Sequence, residues 1–225
     1  MFEFIRRVLT NSASVPDKWQ GNPWFSLPFL AIDLELTSLD VNDAKILSIG
    51  WVESAHAQID LNSCFYKVIR THSSLNQSPI IHGLVEADIR LGEAEEDVLT
   101  KLLPFTESHI WVFHNTHLDM QVLSTAFSRC NKPLPEIVTL DTLQIALYLL
   151  RKRQSVLPPN AATLSACRQR YNLPFAPAHN ALDDAMATVE LLHALLFDLD
   201  PSGKCELRDF GQTGGLKTFK SAPLL

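Results

Sequence analysis

The stretch FLAIDLEL (29–36) carries two carboxylates, Asp33 and Glu35, inside a short and otherwise nearly continuous apolar run. A run of that length, opening just after Pro28, has the pattern of a central strand buried on both faces. Side chains two apart on a strand point the same way, so the two acids stand side by side. Ionised carboxylates packed together in such a place are costly unless a cation neutralises them. A strand fraying into solvent would be the alternative. Leu34 and Leu36 continue the run and oppose it.

The same anomaly recurs on two expected helices. Asp119 opens a stripe that continues as Leu123, Ala126, Phe127 and Cys130, so it faces the apolar side rather than water. Asp184 shares its face with Ala187, Thr188, Leu191, Leu192 and Leu195. Its neighbour Asp183 is a control. Asn180 suits the N-cap and Asp183 falls at the third helical position, where a carboxylate complements the helix start. Asp141 also has a structural explanation, since it precedes TLQIALYLL with Gln144 three residues on, a capping-box pattern. It is left out of the site for that reason.

Four carboxylates aimed into a core from one strand and two helices make a site for a hard cation. Oxygen ligands suit Mg²⁺ or Mn²⁺ better than Zn²⁺. Two such ions about 4 Å apart can activate a water, hold a phosphate and stabilise a leaving oxygen. His179, five residues before Asp184, would not share its face if both were helical. It is expected on the loop before the cap, free to swing over the acids, where a neutral imidazole can accept a proton.

Around these positions the pattern is α/β. Strands are expected over 29–36, 45–54, 57–70, 109–113 and 137–140, the first three as an antiparallel meander. Helices are expected over 92–103, 118–130, 141–152, 161–172 and 181–198. The sum is a mixed five-stranded sheet with helices on both faces. Three parts are expected: an N-terminal extension (1–28), a catalytic domain (29–199) and a loose Gly- and Lys-rich C-terminal tail (200–225). The extension is broken by Pro16, Gly21, Pro23 and Pro28 but carries Phe2, Phe4, Trp24 and Phe25. It reads as a strap on the domain's own surface, or else as a docking arm for a protein partner.

Composition narrows the options further. With 225 residues, a net charge of −6 and a pI near 5.7, the chain has the wrong sign to coat nucleic acid by neutralising phosphates. An enzyme meeting nucleic acid at one cation-loaded site is compatible with that charge. Cys64, Cys130, Cys167 and Cys205 lack zinc or redox spacing and read as reduced thiols of a cytoplasmic protein. No apolar run approaches bilayer length, and MFEFIRRVLTNSAS lacks a signal-peptide core. No membrane association is expected, and the oligomeric state is not readable.

Taken in order, these motifs resemble the DnaQ-like exonucleases of the DEDDh type, which include the proofreading epsilon subunit of bacterial DNA polymerase III. The first family motif looks like Asp33-Leu34-Glu35-Leu36-Thr37, the second like His114-Asn115-Thr116-His117-Leu118-Asp119, and the third like His179-Asn180-Ala181-Leu182-Asp183-Asp184. Ile81-His82-Gly83-Leu84 and Leu140-Asp141-Thr142-Leu143 match further family segments. The likeness spans about 28–198 and implies a ribonuclease H-like fold. It also implies 3′→5′ removal of nucleoside 5′-monophosphates from single-stranded or frayed 3′ ends, DNA favoured, with two Mg²⁺ or Mn²⁺ ions per site. It assigns the ions to Asp33, Glu35, Asp119 and Asp184, and the general base to His179. Leu34, Leu36, Thr37, His82 and Asn115 would contact substrate.

Ser38 in place of a common Gly, Leu36 in place of a Thr and Leu118 in place of a Phe depart from the family pattern and touch substrate preference. An RNA-trimming exoribonuclease of the same superfamily is one alternative. A non-catalytic subunit that binds nucleic acid or a partner is another. Two further features were weighed on the sequence. Arg151, Lys152, Arg153, Arg168 and Arg170 form a basic group that is either a phosphate track or a helix end with a solvated face. Trp24 and Phe25 could stack on terminal bases.

Overall fold

The computed structural model describes residues 15–71 except 39 and 42, 83–177 except 155, and 179–219. β1 (Phe29–Leu36), β2 (Ile46–Ala55) and β3 (Gln58–Val68) form the expected antiparallel meander. The β2–β3 link is only His56 and Ala57, both at positive φ (53° and 54°), as a tight hairpin between right-twisted strands requires. β4 (Ile110–Phe113) lies parallel to β1, and β5 (Ile137–Asp141) parallel to β4. The sheet order is β3-β2-β1-β4-β5-β6, with β1 in the interior.

Seven α-helices are present among the described residues: α1 (Glu86–Leu91), α2 (Glu95–Leu102), α3 (Phe105–Ser108), α4 (Thr116–Arg129), α5 (Thr142–Arg153), α6 (Leu164–Arg170) and α7 (Ala181–Leu199). Strand alternation sorts the core into two layers. Phe29, Ala31, Val52 and Val112 pack with Ile145 of α5 and with Val189, Leu192 and Leu196 of α7. On the other face Leu30, Ile32, Ile49 and Phe113 pack with Val98 of α2 and with Leu123 and Phe127 of α4. The sheet is therefore sandwiched between helices, and the strand termini next to α4 and α7 are left to form a site.

Two expectations need correction. The sheet has six strands rather than five, because β6 (Leu216–Phe219) pairs antiparallel with β5. Much of the stretch expected as a loose tail is thus built into the fold, with Leu207 and Phe210 of a 3₁₀ turn (Leu207–Thr213) buried. Its Gly and Lys content hid a strand only four residues long.

Of the N-terminal extension, residues 15–28 form a strap, and 1–14 lie outside the described residues. Val15, Trp19, Trp24 and Leu27 join the α7-side core. Trp24 is fully buried, meets Phe197 edge-on at 4.9 Å and donates its indole N–H to Asp200 Oδ2 at 3.1 Å. It stands at the C-terminal end of α7, a helix about 28 Å long. Trp24 is therefore neither a base-stacking residue at the acidic cluster nor free for a partner. No described helix is long and apolar enough to cross a membrane.

Candidate active site

The register of the meander places the first pair of acids. Asp33 stands opposite Gly50 and Glu35 opposite Ser48, all on the α7 face. α7 can lie close over this point because Gly50 has no side chain. A Cβ there would sit 2.3 Å from the Leu182 backbone nitrogen and 2.4 Å from the Ala181 carbonyl carbon. The first turn of α7 thus rests directly on β2, which brings Asp184 beside Asp33 and Glu35. The sequence signal for this was a glycine inside a strand pattern, KILSIGWVES, which marks a close backbone approach.

Asn180 caps α7, its side-chain oxygen accepting the N–H groups of Leu182 (3.0 Å) and Asp183 (3.3 Å). His179 precedes it in the left-handed region (φ 68°), a conformation that non-glycine residues hold only when their surroundings impose it. Its backbone N–H donates to Asp184 Oδ2 at 2.9 Å. A ring nitrogen of His179, an oxygen of Glu35 and an oxygen of Asp184 all lie within 4.8 Å of one another. The loop before His179 is clamped by Arg168, which is only 5% exposed. Its guanidinium donates to Pro174 O (2.8 Å) and Ala187 O (2.8 Å) and pairs with Glu190 at 2.6 Å.

The second helix enters through a different device. Asn115, at φ 92°, turns the chain from β4 into α4. Asp141 secures that turn and its own helix together. Its Oδ2 accepts from Thr116 N (3.1 Å), while Oδ1 accepts from Asn115 N (3.3 Å), Leu143 N (2.9 Å) and Gln144 N (3.2 Å). The capping role expected from the sequence is present, and a second one joins it: Asp141 binds the starts of α4 and α5 to each other. His114 packs beside it, with Nε2 donating to Ala162 O at 3.0 Å and Nδ1 bonded to Thr142 Oγ1 at 2.8 Å.

Electrostatics separate these acids. Burial pushes Asp33 well above the usual carboxylate range, and the charges of Asp119, Asp184 and Glu35 add to it. Asp119, 7% exposed, is raised by burial and then by Asp141 and Glu35. Glu35 is pushed up to about 7 by burial and by Asp184. Asp184 is raised by burial despite the opposing contacts from His179. The structure thus brings Asp33, Glu35, Asp119, Asp184 and His179 into one electrostatic cluster. This group repels itself, runs from the buried Asp119 out to the exposed His179, and offers oxygen donors plus one imidazole. Such a donor set fits divalent cations.

The remaining expected contacts are distributed around the cluster. Leu34 is buried in the α2–α4 layer, on the sheet face opposite the acids, and Leu36 packs partly buried against the same layer. Thr37 closes the end of β1, its N–H donating to Lys45 O and its Oγ1 accepting from Lys45 N, both at 3.0 Å. Asn115 is exposed at the start of α4. His82 lies outside the described residues.

Three members of the basic group are committed to structural contacts. Arg168 is spent on the His179 loop, Arg170 donates to Ala161 O at 2.6 Å, and Arg153 pairs with Asp198 at 2.7 Å. His109, His114 and His117 do not converge either. His109 pairs with Glu53 at 3.1 Å, His114 is held by Thr142 and Ala162, and His117 is exposed.

Known proteins give this arrangement a context. The chain is 27% identical over 164 residues to a PolC-type DNA polymerase III of Thermotoga petrophila, covering 72% of this chain and 11% of that protein. It is 25% identical over 170 residues to the 3′-5′ exonuclease DinG of Staphylococcus epidermidis, covering 73% of this chain and 17% of that protein. The chain therefore corresponds to a small part of these longer relatives. Exonuclease X, solved with 5′-overhanging duplex DNA, superimposes with a TM-score of 0.62 at 22% identity, over 83% of this chain and 99% of that one. That likeness establishes the ribonuclease H-like fold. Residues 30–192, which hold all five clustered side chains and most of the core, match the family described as RNase_T exonuclease, and the chain belongs to that family.

Proposed function

We propose that the protein is a metal-dependent 3′→5′ exonuclease that hydrolyses the terminal phosphodiester of nucleic acid, DNA favoured, and releases nucleoside 5′-monophosphates. One observation carries the reading. Four carboxylates from β1, α4 and α7 gather with His179; burial raises them all, and repulsion within the group adds to it at Asp33, Glu35 and Asp119. An acid cluster of that kind, with only Arg168 acting on Asp184 from among the described cationic side chains, is suited to hold cations.

Asp33, Glu35, Asp119 and Asp184 would hold two Mg²⁺ or Mn²⁺ ions, which when bound supply Lewis-acid stabilisation of charge on the phosphate and on the leaving oxygen. His179 is exposed on a constrained loop, and its ring faces Glu35 and Asp184. In its neutral form it accepts the proton of the water that attacks phosphorus. The new P–O bond forms as the bond to the 3′-oxygen breaks, and that oxygen is protonated as it leaves. Asn115 and the backbone at Leu34 to Thr37 stand at the same end of the sheet and would receive the terminal nucleotide. The preference for DNA is supported by the names of the relatives, a DNA polymerase III and an exonuclease solved with DNA.

The test is a 5′-labelled oligonucleotide incubated with Mg²⁺ or Mn²⁺. Single-stranded DNA, mismatched duplex DNA and short RNA are digested side by side. The expected result is a ladder shortening from the 3′ end, fastest on DNA. A faster RNA ladder makes the enzyme an exoribonuclease. Binding with no ladder under either metal makes it a non-catalytic subunit.

A further inference from the structure

Four buried side-chain hydroxyls among the described residues have no hydrogen-bond partner: Ser48, Thr116, Thr139 and Thr188. Each is 0% exposed. A buried hydroxyl left alone is destabilising, so folded proteins keep few of them. Their positions here are not scattered. Ser48 is the cross-strand neighbour of Glu35, on the same face of the sheet. Thr188 lies one turn beyond Asp184 on α7, and Thr116 lies three residues before Asp119 on α4. Thr139 lies two residues before Asp141 on β5. Directly opposed residues of an antiparallel pair have Cβ atoms about 4.5–5.5 Å apart. Residues four apart on a helix are about 5–6 Å apart. Ser48 and Thr188 are therefore immediate neighbours of Glu35 and Asp184.

We infer that Ser48 and Thr188 are reserve hydrogen-bond donors that take hold of the Glu35 and Asp184 carboxylates once cations organise the site. They are positioning residues rather than catalytic ones. A carboxylate bound to a cation through one oxygen needs a donor at the other to fix its orientation, and a nearby hydroxyl supplies it. Asp184 has such a donor on Oδ2 from His179 N, while Glu35 has none among the described hydrogen bonds. Thr139 is a built-in control. Its neighbour Asp141 already accepts four backbone N–H groups and has no use for another donor.

The inference rests on the cation-binding nuclease reading, and the experiment separates the two. The full chain is stripped with chelator, and Mn²⁺ affinity is measured by calorimetry or by loss of the free-ion spin-resonance signal, alongside the cation-free Tm. Ser48→Ala and Thr188→Val should bind Mn²⁺ roughly tenfold more weakly. Their cation-free Tm should equal or exceed that of the wild type, because an orphaned hydroxyl is gone. Thr139→Val should show the same Tm behaviour with unchanged Mn²⁺ affinity. Both Ser48→Ala and Thr188→Val binding within about twofold of a wild type that does bind Mn²⁺ would overturn this inference alone. A wild type that binds no Mn²⁺ would overturn it together with the nuclease reading.

Discussion

The two ends of α7 treat a buried aspartate in opposite ways. At the C-terminal end Asp200, 6% exposed, accepts hydrogen bonds from Trp24 Nε1, from the N–H and hydroxyl of Ser202 and from Cys205 N. Burial alone would raise its pKa, but those donors outweigh it and hold the carboxyl below its usual range. At the N-terminal end, burial and neighbouring acids raise Asp33, Glu35 and Asp184. One end is a finished structural joint. The other gathers acids that raise one another's pKa. Burial alone therefore does not set the state of an acid; the donors and charges around it do.

Four measurements can break or sharpen that contrast. The largest effect is expected from Asp33→Asn, which should lower turnover by about a thousandfold or more, since cation-mediated stabilisation is worth several kcal/mol. The same change should raise the cation-free Tm, because it removes a repelling buried charge. A cation-free Tm below that of the wild type would mean that Asp33 is a structural acid like Asp200. Asp200→Ala should do the reverse, costing about 3 kcal/mol of stability by orphaning Trp24 and Cys205 N–H groups, with the rate per folded molecule unchanged.

The third is a pH titration of the chelated protein. Glu35 titrates at about 7 when folded against an ordinary value of 4.5. A raised folded value means stability that is fully present below about 4.5 and is lost as pH rises towards 7, by about 3 kcal/mol at most. Mg²⁺ or Mn²⁺ should cancel that loss. His193 acts in the other direction. Burial against Ser54 lowers it from 6.5 to about 4, so its contribution is lost as pH falls through that window. Melting curves at pH 4, 5.5, 7 and 8, with and without Mn²⁺, resolve the two. Their slopes oppose between about 4.5 and 6.5, so the deciding quantity is the Tm gained from Mn²⁺: a gain no larger at pH 7 than at pH 5.5 would remove the strained-acid description. The smallest effect is Gly50→Ala, expected to cost about 2 kcal/mol through the clash with Leu182 N. It should also lower kcat, because the first turn of α7 must shift. Unchanged kcat with lowered Tm would separate the packing from the site.

Much of the fold was legible because strand periodicity and helix caps are local. FLAIDLEL is a strand over the same eight residues that the run suggests, and Asn180 caps α7 as its sequence implies. The acids stood out for the same reason, each a charge on an apolar face. What was hidden is what depends on distant partners. Arg168 looked like part of a phosphate track because nothing in RKR or RQR says that its guanidinium reaches Pro174 O and Glu190. Trp24 stayed open between a strap, a docking arm and base stacking because its partner, Asp200, is 176 residues away. α1, a single helical turn and a half, carries too short a period to register. Gly50 was visible only as a glycine in a strand, and its purpose needed the helix that lands on it.

β6 has a consequence beyond the strand count. Asp141 N donates to Gly215 O at 2.9 Å, and a Cβ on Gly215 would sit 2.9 Å from Asp141 O, so the segment that closes the sheet also presses on the residue tying α4 to α5. Cleavage after Leu199 would uncover the hydrogen-bonding edge of Ile137–Leu140, an invitation to strand exchange between molecules. The segment from Gly215 to Phe219 is in this sense a keystone, bearing on the arch at the acids.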